Sequence, residues 1–107
     1  MSAPLSIERH TNGHYCLSGE LDRDTVPPFW IDRANWLPKG ESVTLDLAAL
    51  KRVDSAGMAM LLHLQQLLNE NKQTLVLCNI PEQLRVLLQL SNVESLFADL
   101  TLSAQEE

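Results

Sequence analysis

The fold is decided by residues 42–78, which read SVTLDLAALKRVDSAGMAMLLHLQQLLNENKQTLVLC. In residues 42–47 apolar and polar side chains alternate, which predicts a strand, and we expect this strand to be central in a sheet. Residues 57–70 carry leucines and methionines at helical spacing, which predicts a helix with a wide apolar arc. The run Thr74–Cys78 is typical of a strand in a sheet with a covered face. This order predicts a right-handed crossover, with the helix packed on the sheet.

The residues before position 42 predict a hairpin and a short helix. Residues 4–9 and 14–18 alternate weakly and are separated by Asn12-Gly13, a two-residue turn signal. Residues 26–36 follow two residues that favour helix N-caps and begin with two prolines, which fit only a first helical turn. We therefore expect strands over 4–9 and 14–18 and a helix over 26–36.

The residues after position 78 predict one more helix and one more short element. Pro81 can open a helix, where its missing N–H costs nothing. Residues 92–102 predict a last short strand or helix, and residues 103–107 are polar and are expected to fray. The predicted order is β-β-α-β-α-β-α in one α/β domain spanning 1–107, with its core over about 5–100.

Composition and charge exclude several classes of function. The chain has 107 residues, with 8 Lys and Arg against 14 Asp and Glu, so its formal charge is −6. This balance disfavours nucleic-acid binding unless the few cations cluster, and it disfavours adsorption to anionic lipid. The two cysteines form no CxxC pair and have no zinc-site spacing. With no secretory signal and no long apolar run, we expect a cytoplasmic protein with free thiols.

The residues that commonly carry catalysis are few. His10 and His14 flank the first turn, and His63 lies in the middle of the predicted long helix without a second ligand at helical spacing. The four glycines form no phosphate-binding loop. The sequence therefore predicts no catalytic residue, no metal site and no cofactor.

Residues 53–58, which read VDSAGM, join a strand to a helix through a tight turn. Asp54 or Ser55 can cap the helix, and Gly57 allows a close approach of another backbone. A hydrolase elbow would need Gly at position 53, a general base and a longer chain, so a nucleophilic serine is disfavoured. The alternative is that Ser55 is a docking point or a switch, because a phosphate there would gain hydrogen bonds from free N–H groups.

Three landmarks in the sequence resemble the STAS domains, a family named for sulphate transporters and anti-sigma factor antagonists. Residues 19–22 read GELD, residues 45–47 read LDL, and residues 53–58 correspond to the phosphorylation loop of the family. Ala56 replaces the second serine of the anti-sigma antagonists, and Met58 replaces the usual leucine. The resemblance covers residues 5–100 and implies a mixed sheet of four to five strands, with helices packed mainly on one face.

Further features are similar to one group within this family, the small STAS subunits of phospholipid-transport ABC complexes in Gram-negative bacteria. These features lie in residues 17–22, 28–30, 52–57 and 61–64. The resemblance implies a non-enzymatic subunit at the cytoplasmic face of the inner membrane that binds and supports the ATPase subunit. A permease and a periplasmic lipid-binding subunit would complete a complex that maintains the lipid asymmetry of the outer membrane. Neither nucleic acid nor direct insertion into the membrane is expected.

Two other functions remain open at this point. The first is an anti-sigma factor antagonist that acts as a phospho-switch through Ser55, which would then be the phosphorylation site. The second is a stand-alone binder of lipid or of a small ligand, which the wide apolar arc of residues 57–70 would serve. The simpler interpretation, which we favour, is that this arc faces both the sheet and a partner protein.

The expected partner-binding site surrounds the start of the long predicted helix. In the expected fold, the end of the second strand and the start of this helix lie on one side, which would gather Asp22, Asp24, Asp54 and Ser55 into an acidic patch around the helix N-terminus. Trp30 or Trp36 would flank this patch, and tryptophan is enriched at interface hot spots. Packing of either tryptophan against the sheet is the alternative. The predicted partner-binding residues are Ser55, Asp54, Ala56, Gly57, Met58, Asp22, Asp24 and Trp30.

Overall fold

The computed structural model of the chain describes residues 4–11, 13–91 and 99–100. The strands are β1 (Ser6–Thr11), β2 (His14–Leu21), β3 (Ser42–Asp46), β4 (Leu50–Val53), β5 (Thr74–Cys78) and β6 (Asp99–Leu100). The helices are α1 (Val26–Ile31), α2 (Arg33–Trp36), α3 (Ser55–Glu70) and α4 (Glu82–Ser91).

The strands form one mixed sheet in the order β1-β2-β3-β5-β6. β1 and β2 form the predicted antiparallel hairpin, whereas β3 is parallel to both β2 and β5, and β6 is parallel to β5. The short strand β4 is parallel to the last part of β2, beyond the residues of β2 that pair with β3. The prediction of a central strand after residue 42 is therefore confirmed for β3.

The helices pack on one face of this sheet, where the core lies. Every second residue of β3 and β5 is buried, and so are Tyr15, Leu17 and Leu21 of β2, whereas the alternate residues of these strands are half-buried or exposed. The long helix α3 covers the sheet with its buried residues and also contacts α1 and α4. The core side chains with less than 2% exposure are Leu17, Leu21, Val43, Leu45, Leu47, Leu61, Leu64, Leu68, Leu75, Leu77, Leu84 and Leu88.

The predicted helix over 26–36 is interrupted at Asp32, which separates α1 from α2. In an uninterrupted helix the Phe29 carbonyl would accept a hydrogen bond from the backbone N–H of Arg33. Here it accepts instead from the backbone N–H of Asp32, at 3.2 Å, and from the indole N–H of Trp36, at 2.8 Å. The Trp36 indole N–H and the Asp32 N–H thus replace the helical hydrogen bond that Arg33 would donate to Phe29. The spacing of apolar residues in the sequence does not reveal this replacement.

Strand β4 is absent from the predicted order, and β2 is longer than predicted. Residues 48–53 contain only two half-buried or buried positions, Leu50 and Val53, and their alternation is too short to detect. Residues Gly19–Leu21 of β2 pair with β4. Because β4 was not predicted, the part of β2 that pairs with it was not predicted either. Helix α3 begins at Ser55, two residues before the predicted start. Of the predicted last element, only β6 is described, and the predicted frayed tail lies outside the described residues.

Most of the wide apolar arc of α3 is buried in the core. Met58, Leu61, Leu64 and Leu68 are buried, whereas Leu62 is half-buried at the rim. The arc is therefore a sheet-facing surface with a partly covered edge.

Truncating a buried leucine of α3 should destabilise the fold far more than truncating an exposed one. Leu61 is 0% exposed and Leu90 on α4 is 80% exposed, and both lie in helices. We expect Leu61→Ala to lower the free energy of unfolding by about 2–5 kcal/mol, because it leaves a cavity in the core. Leu90→Ala should change it by less than about 0.5 kcal/mol. Urea denaturation followed by circular dichroism measures both, and equal losses would contradict this assignment of the core.

Candidate functional site

The loops that follow β2 and β4 lie side by side. Because these strands are parallel, their carboxyl ends meet at the same end of the sheet, where Leu21 is the register partner of Val53. The backbone N–H of Asp54 continues the contact by donating to the Leu21 carbonyl at 3.1 Å. We call residues 21–25 and 53–57 the docking loops. The two sequence motifs that contain them were predicted to lie together, and the structure brings them into contact.

The side chain of Asp54 joins the two docking loops. Its backbone is extended at the N-cap of α3, and its Oδ1 accepts a hydrogen bond from the Gly57 N–H at 3.1 Å. Its Oδ2 accepts from the Arg23 N–H of the other loop at 3.2 Å. Asp54 is therefore the cap of α3, and Ser55, the other predicted capping residue, is the first residue of the helix.

Asp22 organises the first docking loop from inside the protein. It is only 1% exposed, and its Oδ1 accepts hydrogen bonds from the N–H groups of Asp24 (2.9 Å) and Thr25 (3.1 Å). Its Oδ2 lies 3.7 Å from Nη1 of Arg52, and these bonds offset the cost of burying a carboxylate. Asp22 is predicted as a partner-binding residue of the acidic patch, but local N–H donors hold its carboxylate below the surface, so it is not accessible in this structure.

Thr25 fixes the same loop from its other side. Its hydroxyl donates to the Glu20 carbonyl at 2.6 Å and accepts from the Asp22 N–H at 3.1 Å. Thr25 occupies the N-cap position of α1 but makes no side-chain capping bond to that helix. Its side chain thus holds the loop against the end of β2.

Gly57 allows α3 to start against the end of β2. A Cβ atom at this position would lie 2.4 Å from the Leu21 carbonyl oxygen and 2.6 Å from its Cγ. Neither distance is sterically possible without movement of the backbone of β2. The predicted close approach at Gly57 is confirmed, and the contact is with the backbone of the neighbouring docking loop.

The predicted partner-binding residues differ in their exposure. Ser55 and Asp24 are exposed, and Asp54, Ala56 and Trp30 are half-buried, whereas Asp22, Gly57 and Met58 are buried. Met58 is 9% exposed and belongs to the hydrophobic core. The accessible part of the predicted site is therefore smaller than the sequence motif.

Trp30 lies where α1 meets α3. Its ring centroid is 6.3 Å from that of His63 on α3 and 6.2 Å from that of Trp36. The Arg33 guanidinium lies 4.8 Å from the Trp30 ring centroid, and its Nη1 donates to the Trp30 carbonyl at 3.0 Å. Trp36 instead stacks on Phe29, with centroids 4.3 Å apart. Arg33 and His63 were not predicted as parts of the site, because their contacts with Trp30 depend on tertiary structure.

These residues continue into an accessible strip along α3. Ala59 and Leu62 are half-buried, and His63 is exposed, and the three line a shallow groove on the outer side of the helix. They follow Ser55 at helical spacing of four, seven and eight residues, so all four share one face. We call this surface the docking face, which consists of Asp24, Trp30, Ser55, Ala59, Leu62 and His63.

The two thiols, on β2 and β5, are not part of the docking face. Burial and the nearby Asp46 carboxylate raise the pKa of both Cys16 and Cys78, so the thiols are protonated at neutral pH and weakly nucleophilic. Among residues 4–11, 13–91 and 99–100, no group of three His, Cys, Asp or Glu side chains is arranged to hold a metal ion. Within the same part of the chain, no helix has the length and hydropathy needed to cross a bilayer.

Removing the Asp54 carboxylate should destabilise the protein more than removing the Ser55 hydroxyl. Asp54→Ala leaves the N–H groups of Gly57 and Arg23 without their acceptors, and a lost cap costs about 1–2 kcal/mol. Ser55→Ala should change the free energy of unfolding by less than about 0.5 kcal/mol. Urea denaturation of the two variants checks this order, and a larger loss for Ser55→Ala would contradict the assignment of the cap.

Comparison with protein families and curated proteins gives consistent matches. The family described as "Mlab, STAS domain" matches residues 11–101. Two relatives, from Escherichia coli (strain K12) and Shigella flexneri, are both named "Intermembrane phospholipid transport system binding protein MlaB". Each is 36% identical to this chain over 93 residues, which cover 87% of this chain and 93% of the relative.

Solved structures with the same fold include two proteins of low sequence identity. The NMR structure of the protein TM1081 has a TM-score of 0.67 and 17% identity, over 92% of this chain and 81% of that one. The anti-sigma factor antagonist SpoIIAA in its unphosphorylated form has a TM-score of 0.63 and 19% identity, over 95% of this chain and 90% of that one. These likenesses establish the fold. Taken with the match over residues 11–101 and the identity to the two MlaB proteins, they show that this chain belongs to the STAS domain family, in the group described as "Mlab, STAS domain".

Proposed function

We propose that this chain is a non-enzymatic STAS subunit of an ABC-type phospholipid transporter and that it binds and supports the ATPase subunit. The observation that carries the proposal is the 36% identity to two MlaB proteins over most of both chains. The names of those proteins describe binding proteins of an intermembrane phospholipid transport system. A function of this kind requires a surface for a protein partner and no catalytic group.

The proposed complex contains three further kinds of subunit. The direct partner is an ATPase of the MlaF type, which is joined to a permease of the MlaE type and a periplasmic lipid-binding subunit of the MlaD type. Through the ATPase, this chain lies at the cytoplasmic face of the inner membrane, and the complex maintains the lipid asymmetry of the outer membrane. The excess of acidic residues supports a protein partner over nucleic acid.

The docking face has the properties of a protein-binding surface. Trp30 and Leu62 present partly accessible apolar area, and Ser55 and Asp24 add exposed polar groups at one end. A partly accessible tryptophan is typical of an interface hot spot. Arg33 holds Trp30 in position through its ring contact and its hydrogen bond, which reduces the entropy that binding would remove.

The buried members of the predicted site support this face from below. Asp22 and Asp54 fix the docking loops through backbone N–H groups, and Gly57 sets the distance between them. Met58 anchors the first turn of α3 in the core. We therefore propose direct partner contacts for the accessible residues and an indirect role for Asp22, Gly57 and Met58.

A second candidate function is a phospho-switch of the anti-sigma antagonist kind. The observation that favours it is the exposed hydroxyl of Ser55 on the first residue of a 16-residue helix, where a phosphate would gain N–H donors. The Asp54 carboxylate next to it already occupies the Gly57 N–H and would repel a phosphate. The intact mass of the protein from its native host distinguishes this candidate, since a switch requires a phosphorylated form in some growth phase.

The partner of this chain can be identified directly. We expect a tagged copy, recovered from the native host in mild detergent, to bring an ABC ATPase and a permease in near-stoichiometric amounts. Mass spectrometry of the recovered proteins measures this. Recovery of a small kinase or a sigma factor in place of the ATPase would favour the phospho-switch and would contradict the transport proposal.

Substitutions at Ser55 should affect binding according to their size and charge. Ser55→Ala should bind the purified ATPase subunit nearly as well as the unchanged chain. Ser55→Glu should weaken binding by more than about tenfold, because it adds a bulky charge within the docking face. Isothermal titration calorimetry measures the dissociation constants.

Ser42→Glu is the matched control for this series. Ser42 is exposed at the beginning of β3 and lies outside the docking face, so the same change there should leave binding unaltered. Circular dichroism checks that all three variants are folded. Normal binding by Ser55→Glu would mean that the docking face is misplaced.

A further inference from the structure

We propose that the chain has a second binding site, for a phosphate group on a short carbon chain, at the end of the sheet opposite the docking loops. The site is an open groove of about 310 Å³ between the β1–β2 hairpin and the segment that joins α2 to β3. We call it the basic groove, and its chemically active side chains are Arg9, Tyr15 and Lys39. Tyr15 is near the start of β2 and Leu21 is at its end, so about 20 Å of strand separates the groove from the docking loops.

The backbone brings these three residues together from different segments. Arg9 on β1 is the register partner of Tyr15 on β2, so their side chains lie on the same face of the sheet. Lys39 follows α2, and its backbone N–H donates to the Tyr15 hydroxyl at 3.0 Å. The hairpin and the α2–β3 connection are thereby fixed against each other at the groove.

The hydroxyl of Tyr15 has an unused donor. The residue is 8% exposed, and its oxygen accepts the bond from Lys39. A phenol can also donate one hydrogen bond, and among the described residues no acceptor for that proton is found. Tyr15 lines the basic groove, so an anionic oxygen bound there would accept a hydrogen bond from this hydroxyl.

The charges at the groove favour an anion. Arg9 and Lys39 make no ion pair within the described part of the chain, whereas Arg52 and Arg85 pair with acidic side chains. The residues that line the groove include no aspartate or glutamate. Lys72 and Glu41 lie in an adjoining groove that Lys39 also lines. The groove thus has two cationic residues and no acidic residue in its lining, in a chain of formal charge −6.

The other walls of the groove define the rest of the ligand. Ile7, Trp36 and Leu37 provide apolar surface beside the cations. The indole N–H of Trp36 is already bonded to the Phe29 carbonyl, so this ring offers apolar contact. A bidentate guanidinium, an ammonium and a phenol donor suit a phosphate group, and the apolar walls suit a few carbon atoms attached to it. A soluble phosphate ester and a lipid headgroup share this chemistry.

The test is a titration of the full chain with glycerol 3-phosphate and with inorganic phosphate, followed by two-dimensional NMR at constant ionic strength. We expect saturable shifts of the backbone amide signals of Arg9, Tyr15 and Lys39, and tighter binding of glycerol 3-phosphate. Arg9→Gln and Lys39→Gln should each weaken binding by about tenfold, since each removes a charge-assisted hydrogen bond. Tyr15→Phe removes only the hydroxyl and should weaken binding by a smaller factor.

Lys51→Gln is the control, because Lys51 is an exposed cation on β4 and does not line the groove. It should bind glycerol 3-phosphate as the unchanged chain does. Shifts that do not saturate, or equal weakening by Lys51→Gln and Arg9→Gln, would overturn the proposal. The backbone amide signals of each variant also show whether it remains folded.

Vesicles distinguish the two sources of the phosphate. Sedimentation with phosphatidylglycerol vesicles, but not with phosphatidylcholine vesicles, that is lost in both Arg9→Gln and Lys39→Gln would support the site with a lipid headgroup as its ligand. Saturable binding of glycerol 3-phosphate without sedimentation would support it with a soluble ester. Failure of both would overturn it. The outcome is independent of the proposed function, because the ATPase titrations use the docking face and this test uses the basic groove.

Discussion

The carboxylate of Asp54 determines how the two docking loops are arranged. Each oxygen of Asp54 accepts a backbone N–H from a different loop, and the backbone of the same residue donates to the end of β2. Gly57 then allows α3 to begin in contact with Leu21, at a distance that leaves no room for a side chain. The docking face depends on these contacts, because they set where Ser55 and Asp24 stand relative to one another. Binding to such a fixed surface requires little ordering of the loops.

Much of this arrangement could be predicted from the sequence, where the pattern is long or the residue type is restrictive. The alternation in β3, the apolar run in β5 and the helical spacing in α3 each have one simple interpretation. Gly57 was also informative, since a glycine in the first turn of a helix suggests a close neighbour. The resemblance to the family's fold also placed the end of the second strand and the start of the long helix on one side of the domain.

The rest required the tertiary structure. Asp22 looks like a surface residue in the sequence, and only the folded loop reveals the N–H donors and the arginine that allow its burial. The interruption at Asp32 depends on an indole N–H seven residues beyond Phe29, which no helical period describes. The basic groove was not predicted either, because Arg9, Tyr15 and Lys39 come from three segments with no common motif.

The pairing of β2 has a consequence for the order in which the protein folds. Its first half pairs with β1, which precedes it by a few residues, and with β3, whereas its last residues pair with β4; β3 and β4 both lie about thirty residues later in the chain. Local contacts form faster than distant ones, because closing a long loop removes more chain entropy. During synthesis the hairpin can therefore form as soon as it leaves the ribosome, whereas the Asp54 contacts must wait for β4 and the start of α3. A nascent chain therefore forms the hairpin wall of its basic groove before its two docking loops can come together.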